Sequence, residues 1–196
     1  MTRTMNQSDD VALSDDFTKG FINTEIETGE GFHYFESGNG KFSMWFPEGY
    51  KLEDVPSYVS KDSYESINLY KKAEDGVQKL IKMTYYIGND PGQVEGNFSV
   101  LLNDYGFEDN YEEKDTDQTH IYSGNSFVEL IENRAEPKAP TAEKPANQYF
   151  ALIKDQHSDQ HVKFSYEIHC EVNCSINSPE ESSFFDTIIR NINFKE

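Results

Sequence analysis

The sequence predicts an α+β fold in which an antiparallel β-sheet of about six strands is covered by two main helices, at about residues 91–105 and 179–190. Several short segments alternate between apolar and polar residues, as strands with one buried face do. Two later segments combine helix-capping residues with an apolar stripe. Because an apolar sheet face needs a cover, these observations favour helices packed on a single sheet.

The first 30 residues differ from the rest in composition, being rich in Ser, Thr, Asp, Asn and Gly. This composition is typical of a flexible spacer, which cannot bury enough apolar surface to fold. The remaining length suits one domain. We therefore predict a flexible tail or spacer over residues 1–30 and a single α+β domain over residues 31–196.

A β-hairpin is predicted at the start of this domain. The segments FHYFES and KFSMWF flank Gly38-Asn39-Gly40, a turn sequence that favours hairpins. Alternation along the second segment places Phe42, Met44 and Phe46 on one face, which predicts core positions for all three. Trp45 falls on the polar face, where it is either covered by a helix or loop or exposed as a contact.

The middle of the chain predicts a second hairpin and the first main helix. YESINLYKK and VQKLIKMTYYIG read as strands and flank the turn sequence AEDG. Asp90 suits the N-cap of the helix, Pro91 its first position and Gly106 its end. The apolar stripe of this helix consists of Val94, Phe98, Leu101, Leu102 and Tyr105.

The second half predicts a strand meander followed by the second helix. Residues 123–125, SGN, predict a tight turn between DQTHIY and SFVELIE, and the Pro-rich segment NRAEPKAPTAEKPAN predicts a loop outside the sheet. QYFALI and HVKFSYEIHC predict the last strand pair. SPEE at residues 178–181 predicts the helix start. The apolar face of this helix consists of Phe184, Phe185, Ile188, Ile189 and Ile192.

Two segments resemble PsbP-like domains. In GKFSMWFPEGYKLED a strand ends in Pro, then Gly, then an aromatic residue, and SPEESSFFDTIIRNINF is similar to the closing helix of those domains. The order of elements over residues 31–196 agrees as well. The resemblance implies a PsbP-like α+β domain, as in exported or lipid-anchored bacterial surface proteins. It also implies a binding role more than a catalytic one.

The charge balance limits the partners of the chain. Lys and Arg total 17 against 36 Asp and Glu, so the formal net charge is −19. This charge repels nucleic acid and anionic membrane surfaces. The expected partner is therefore an unknown protein or a small ligand.

The sequence leaves two interpretations of location open. No apolar run is long enough for a transmembrane segment, and no signal peptide is visible at the start. The protein is then either cytoplasmic, or exported with its signal removed and with a lipid anchor upstream. The spacer-like first 30 residues favour an extracytoplasmic protein anchored at the cell surface.

Cys170 and Cys174 are the only cysteines of the chain. In an extended strand their Cα atoms would lie roughly 13 Å apart, whereas a disulfide needs less than about 7 Å. Either the chain turns sharply between them and they form a disulfide, or both are buried free thiols, or they bind a metal. Their spacing is not a usual zinc-binding spacing.

His157 and His161 lie in DQHSDQH, a predicted hairpin tip, and form an alternative for a metal site. A solvated polar turn is favoured, because the local sequence supplies no third ligand. We therefore predict no metal and no cofactor. His169 and Cys170 are neighbours in a strand and point to opposite faces, which argues against a pair of nucleophile and general base.

The segment YGFEDNYEEKDTDQ is strongly acidic. It lacks the spacing of a calcium-binding loop, so it predicts a solvated acidic face or a surface for a basic partner. The sequence also lacks a phosphate-binding loop, a zinc-protease motif and a nucleophile elbow. We therefore predict that the protein is not an enzyme.

The leading hypothesis is a non-catalytic, exported or surface-anchored binding or interaction domain, similar to a lipoprotein, whose ligand is unknown. Its candidate contact residues are Trp45, Tyr50, Glu108, Asp109, Glu112 and Glu113. One alternative is a metal-binding or redox protein that uses the histidines at 157 and 161 and the two cysteines. The other alternative is an acidic cytosolic regulator of a basic partner.

Overall fold

The computed structural model describes residues 10–72, 76–131, 134–170 and 175–195. The helices in these residues are α1 (Val11–Ser14), α2 (Asp16–Lys19), α3 (Gln93–Tyr105) and α4 (Ser178–Arg190). The strands are β1 (Ile22–Asn23), β2 (Phe32–Glu36), β3 (Phe42–Pro47), β4 (Lys51–Leu52), β5 (Val59–Lys61), β6 (Tyr64–Lys72), β7 (Val77–Tyr86), β8 (Glu112–Asp115), β9 (Thr119–Ile131), β10 (Arg134–Lys138), β11 (Gln148–Asp155), β12 (His161–Cys170) and β13 (Asn193–Phe194).

The described strands form two antiparallel sheets. The small sheet has four strands, in the order β1-β2-β3-β13. The large sheet has nine strands, with the path β10-β9-β11-β12-β7-β6-β4, and with β5 paired to β6 and β8 paired to β9.

The predicted fold class is therefore wrong. The chain is mainly β-structure in two sheets, not one sheet of about six strands under two main helices. The two predicted helical segments are present as α3 and α4, but β2 and β3 build a second sheet with β1 and β13. Strands of two residues, such as β1 and β13, are too short to show alternation, so local patterns do not reveal this sheet.

Two further predictions are wrong, for β9 and β10. β9 runs without a break through residues 123–125, where the sequence predicts a tight turn. Gly124 is required there by packing, because a Cβ atom at this position would lie 2.6 Å from Cζ of Phe150. β10 lies inside the predicted Pro-rich loop and pairs with β9 although it contains Pro137. It is an edge strand, and proline is tolerated at sheet edges.

The helix starts agree with the sequence in one case only. α4 begins at Ser178 and has its proline in the first turn, as predicted, but its N-cap residue is Asn177 and no side chain caps it, so the capping box predicted at residues 178–181 does not form. α3 begins at Gln93, and its N-cap residue is Gly92. Asp90 is therefore not the N-cap of α3.

One core lies between the two sheets and α4. β12 contributes every second residue to it, as its alternation predicts: Val162, Phe164, Tyr166 and Ile168. The predicted core residues of β3 are fully buried: Phe42, Met44 and Phe46. α3 covers the opposite face of the large sheet, over Phe150 and Leu152 of β11.

The first described residues pack on the domain. Asp10 Oδ1 accepts a hydrogen bond from the Gly49 N–H at 2.8 Å, and Asp10 Oδ2 lies 2.5 Å from His33 Nε2. Residues 10–23, within the segment predicted as a spacer, thus contact the small sheet and the turn after β3, while residues 1–9 lie outside the described residues. Two residues of α1 and α2 are fully buried: Ala12 and Thr18.

None of the helices in the described ranges combines the length and the apolar character that a membrane span requires.

Candidate functional site

A cleft opens between the turn after β3, the β6–β7 hairpin and the start of α4. Its volume is about 410 Å³, and small-molecule sites range over about 300–1,000 Å³. We call it the Tyr50 cleft. Its wall includes Phe32, Tyr50, Lys71, Lys79, Glu181 and Phe184.

Tyr50 directs its ring into the core from the end of the turn after β3. The ring stacks on Phe184 of α4 with the centroids 5.7 Å apart, and Tyr50 is only 2% exposed. The sequence predicts Tyr50 as a contact residue. The structure places it in the wall of the cleft, beneath the Lys71 side chain, and not on the open surface.

The Tyr50 hydroxyl group is buried and has no hydrogen-bond partner among the described residues. It lies near the Tyr166 hydroxyl and interacts with it, but Tyr166 donates its own hydrogen bond to Glu181. Burial raises the pKa of both tyrosines, so both hydroxyls stay protonated at neutral pH. A buried polar group without a partner costs about 1–3 kcal/mol. The Tyr50 hydroxyl is therefore a buried donor that the described residues leave unsatisfied, beneath the side chain of Lys71.

Two lysines oppose each other in the β6–β7 hairpin, where Lys71 is the direct cross-strand partner of Lys79. Like charges in this position destabilise a sheet. Lys79 Nζ donates a hydrogen bond to Glu181 Oε1 at 2.5 Å, and the Tyr166 hydroxyl donates to the other oxygen of this carboxylate. Glu181 thus offsets the charge of Lys79.

Lys71 is left as the uncompensated cation of the cleft. It has no ion pair among the described residues, and its Nζ lies 5.5 Å from the centroid of the Tyr50 ring. Burial, and next the charge of Lys79, lower the pKa of Lys71, whereas the more distant charges of Glu181, Asp10 and Glu48 act in the opposite direction without reversing the shift. A bound anionic group would offset the repulsion from Lys79 and favour the charged form of Lys71, since it would supply a direct countercharge.

Aromatic rings continue from the cleft to Trp45. Phe184 lies 6.0 Å from Phe32, and Phe32 lies 5.9 Å from Trp45, measured between ring centroids. Trp45 is half-buried, and a Cβ atom at Gly29 would lie 2.6 Å from Cζ3 of its indole. The backbone at Gly29 therefore covers part of Trp45, which packs behind Phe32 and does not line the Tyr50 cleft.

The acidic candidates lie on the other side of α4. Glu108 and Asp109 are exposed in the loop after α3, and Glu112 and Glu113 are exposed on β8. Glu112 lines a second cleft, of about 680 Å³, which also borders α4. The structure brings none of these four carboxylates to the Tyr50 cleft.

The two histidines of the metal alternative occupy different environments. His161 is fully buried, donates a hydrogen bond from Nδ1 to the Asp159 carbonyl oxygen and accepts one at Nε2 from the Asn97 amide, both at 2.8 Å. Burial lowers the pKa of His161, which favours the neutral ring. His157 is exposed. Both ring nitrogens of His161 are thus engaged within the protein.

Cys170 is disulfide-bonded and exposed at the end of β12. Cys174 lies outside the described residues, so the predicted pair as a whole stays a prediction. In the part of the chain that the structure describes, no three His, Cys, Asp or Glu side chains are grouped so that they could hold a metal ion.

The sequence analysis does not include three charged residues of the cleft among its candidates: Lys71, Lys79 and Glu181. The lysine pair does not follow from the turn sequence, since a turn made of the four residues AEDG would place residue 71 opposite residue 78, whereas in the structure Lys71 lies opposite Lys79. An uncompensated pair of this kind indicates a missing countercharge. The sequence predicts Glu181 only as part of a helix start. Its ion pair with Lys79 joins residues 102 positions apart, so the sequence around Glu181 does not predict it.

We expect the stability of the protein to fall steeply in alkali, because burial raises the pKa of Tyr85 and Tyr149 to about 12 from an ordinary value of 10.0. A folded-state pKa above the unfolded one contributes stability that is present below pH 10 and is lost as the pH rises towards 12. Urea unfolding between those pH values, with tyrosinate absorbance as a second reading, measures the loss. Tyr85→Phe should flatten the decline, and a pH-independent free energy of unfolding would contradict the prediction.

A family model with the description "Putative lipoprotein YvcA" matches residues 8–193. No curated protein matches the chain, and no solved structure does so either. The matched range contains every residue named in the Tyr50 cleft. Because the match spans nearly the whole sequence, the chain belongs to this family, YvcA_Mog1p.

Proposed function

We propose that this protein is a non-catalytic binding domain, anchored at the cell surface outside the cytoplasm, that holds a small ligand in the Tyr50 cleft. The observation that carries the proposal is the buried Tyr50 hydroxyl, which lacks a partner beside the uncompensated charge of Lys71. Both groups are donors in the wall of one cleft. A ligand with an acceptor group would satisfy both.

The family supports the proposed location, because its description is that of a lipoprotein. A lipid anchor upstream of the described domain would hold the protein at the membrane surface. The resemblance of residues 40–54 and 178–194 to PsbP-like domains is part of the proposal, and it supports binding more than catalysis. The net charge of −19 disfavours nucleic acid as a partner.

The polar groups of the cleft support a non-catalytic role. Glu181 accepts hydrogen bonds from Lys79 and Tyr166, so its carboxylate is engaged in holding the wall. The hydroxyls of Tyr50 and Tyr166 stay protonated, because burial raises the pKa of each. General acid–base catalysis instead favours groups with a pKa near the working pH.

The proposal is tested on protein recovered from its native host. Intact cells are labelled with a biotin reagent that does not cross membranes, and the labelled protein is isolated and weighed by native and denaturing mass spectrometry. We expect labelling, a lipid mass on the denatured chain, and a bound small molecule that is absent from Tyr50→Phe. Tyr64→Phe, at the opposite end of β6 from Lys71, is the matched control and should keep the molecule.

The result separates the two parts of the proposal. A protein that escapes labelling and carries no lipid would overturn the surface location. A labelled protein whose native mass is the same in the wild type and in Tyr50→Phe would overturn binding in the Tyr50 cleft. Either part can fail without the other.

A further inference from the structure

We propose that the ligand of the Tyr50 cleft is a small zwitterion with an apolar body. Its anionic group would bind Lys71 and Tyr50, its body would lie against Phe32 and Phe184, and its cationic group would meet glutamates at the mouth. This inference rests on the proposed function and specifies its ligand class.

The inner part of the cleft carries one excess positive charge. Counting direct ion pairs, Lys71 and Lys79 contribute two positive charges and Glu181 one negative charge, while Glu48 and Asp10 attract Lys71 without an ion pair to it among the described residues. The carboxylate lies on Lys79, so the excess is at Lys71, next to the unpaired Tyr50 hydroxyl. A carboxylate or a phosphate accepts hydrogen bonds from an ammonium and a hydroxyl at once, which makes it the matching group.

The mouth of the same cleft is negative. The exposed glutamates Glu30 and Glu180 line it and have no ion pair among the described residues, and Glu48, which is half-buried in the same lining, lies closer to the charge of Lys71. A ligand with only a negative charge would enter against these three carboxylates. A ligand with only a positive charge would leave Lys71 unpaired. A zwitterion satisfies both ends of the cleft.

The wall between the two ends is aromatic. The rings of Phe32 and Phe184 lie 6.0 Å apart at an interplanar angle of 22°, and Phe184 also stacks on Tyr50. Such rings favour an apolar or aromatic ligand body and also attract a cationic group. The cleft volume of about 410 Å³ fits a molecule the size of an amino acid or a lipid headgroup.

The test is isothermal titration of the purified full chain with four probes. Phenylalanine and phosphocholine are zwitterions that pair an ammonium with a carboxylate or a phosphate. 3-Phenylpropionate keeps only the negative charge, and phenethylamine keeps only the positive charge. We expect at least one zwitterion to bind about tenfold more tightly than either singly charged probe, since a desolvated charge pair contributes about 1.4 kcal/mol or more. Which zwitterion binds identifies the source of the anionic group.

Variants test which residues bind the anionic group of the ligand and which bind its cationic group. Lys71→Gln should weaken the zwitterion about tenfold, whereas Lys163→Gln, another half-buried lysine that lies on the α3 side of the large sheet, should leave it unchanged. The double variant Glu30→Gln, Glu180→Gln changes two exposed residues, so it should fold normally. It should weaken the zwitterion and at the same time strengthen 3-phenylpropionate.

The outcomes separate this inference from the proposed function. If 3-phenylpropionate binds as tightly as the zwitterions, or if none of the probes binds, the zwitterion class is wrong. The proposed function still stands in either case if native protein carries a molecule that Tyr50→Phe lacks. Zwitterion binding that is unchanged in both Lys71→Gln and the double glutamate variant also overturns the inference.

Discussion

Replacing Glu65 with Ala is expected to lower the free energy of unfolding by about 3 kcal/mol, because it removes a buried carboxylate and leaves its donors unpaired. Glu65 lies on β6 and is fully buried. It accepts hydrogen bonds from the backbone N–H groups of Gly38 and Asn39, each at 2.8 Å, and from the Ser60 hydroxyl at 2.9 Å. Glu65 thereby joins the β2–β3 turn of the small sheet to the large sheet.

Urea denaturation followed by circular dichroism measures this effect. Glu25→Ala is the control, since Glu25 is exposed and its removal should not change the midpoint measurably. Glu65→Gln keeps the shape and should fall between the wild type and Glu65→Ala. If Glu65→Ala unfolds at the same urea concentration as the wild type, the link between the two sheets does not depend on this carboxylate.

Gly88→Ala is expected to cost about 3 kcal/mol or more, for two reasons that add. Gly88 has φ +78°, a conformation that costs an L-residue about 1–2 kcal/mol. A Cβ atom would also lie 2.0 Å from the carbonyl oxygen of Asp159. This carbonyl accepts the hydrogen bond from His161 Nδ1, so it cannot move away without breaking a buried contact.

Gly40→Ala is the matched control for this substitution. Gly40 has φ +71°, but a Cβ atom there would meet no heavy atom within 4 Å. It should therefore cost only the backbone term, about 1 kcal/mol. Differential scanning calorimetry of both variants isolates the clash. Equal melting temperatures for Gly88→Ala and Gly40→Ala would show that the loop at Gly88 moves freely away from Asp159.

The sequence predicts those parts of the fold that follow from periodicity. The alternation in residues 161–170 identified the face of β12 that lies in the core between the sheets, although Ser165 and Glu167 on its other face are buried as well, and the alternation in residues 42–46 identified the apolar core residues of β3. The sequence SPEE at 178–181 located the start of α4, although no capping box forms there. Each of these patterns records one buried face of one element, and burial of that face is what selects apolar residues there.

Predictions from the sequence are wrong where one residue type suits two kinds of structure. Gly124 suits a tight turn, but in β9 it makes room for the Phe150 ring. Pro137 suits a loop, but it lies on the edge strand β10. The neighbours that decide between these uses come from strands distant in the chain, so the local sequence contains no information about them.

In the candidate site, too, the local sequence predicts some residues, and contacts between distant segments determine the rest. The sequence predicts Trp45 and Tyr50 as contact residues but does not predict their surroundings. In the structure Trp45 packs behind Phe32, and Tyr50 lies beneath Lys71. The lysine pair depends on the β6–β7 register, which the four-residue turn sequence predicts one residue away from the observed one. The charge that distinguishes Lys79 from Lys71 comes from Glu181, and only the packing of α4 against the sheet brings it there.

Composition and periodicity thus decided the acidic character of this protein, its buried strand faces and its long helices, because these depend on neighbours along the chain. Tertiary structure alone decided that there are two sheets and that the uncompensated cation and the unpaired hydroxyl share one cleft. Those features depend on contacts such as β3 with β13 and Lys79 with Glu181. Contacts over so many residues are selected by the burial and charge balance of the whole fold, and leave no periodic trace in either segment.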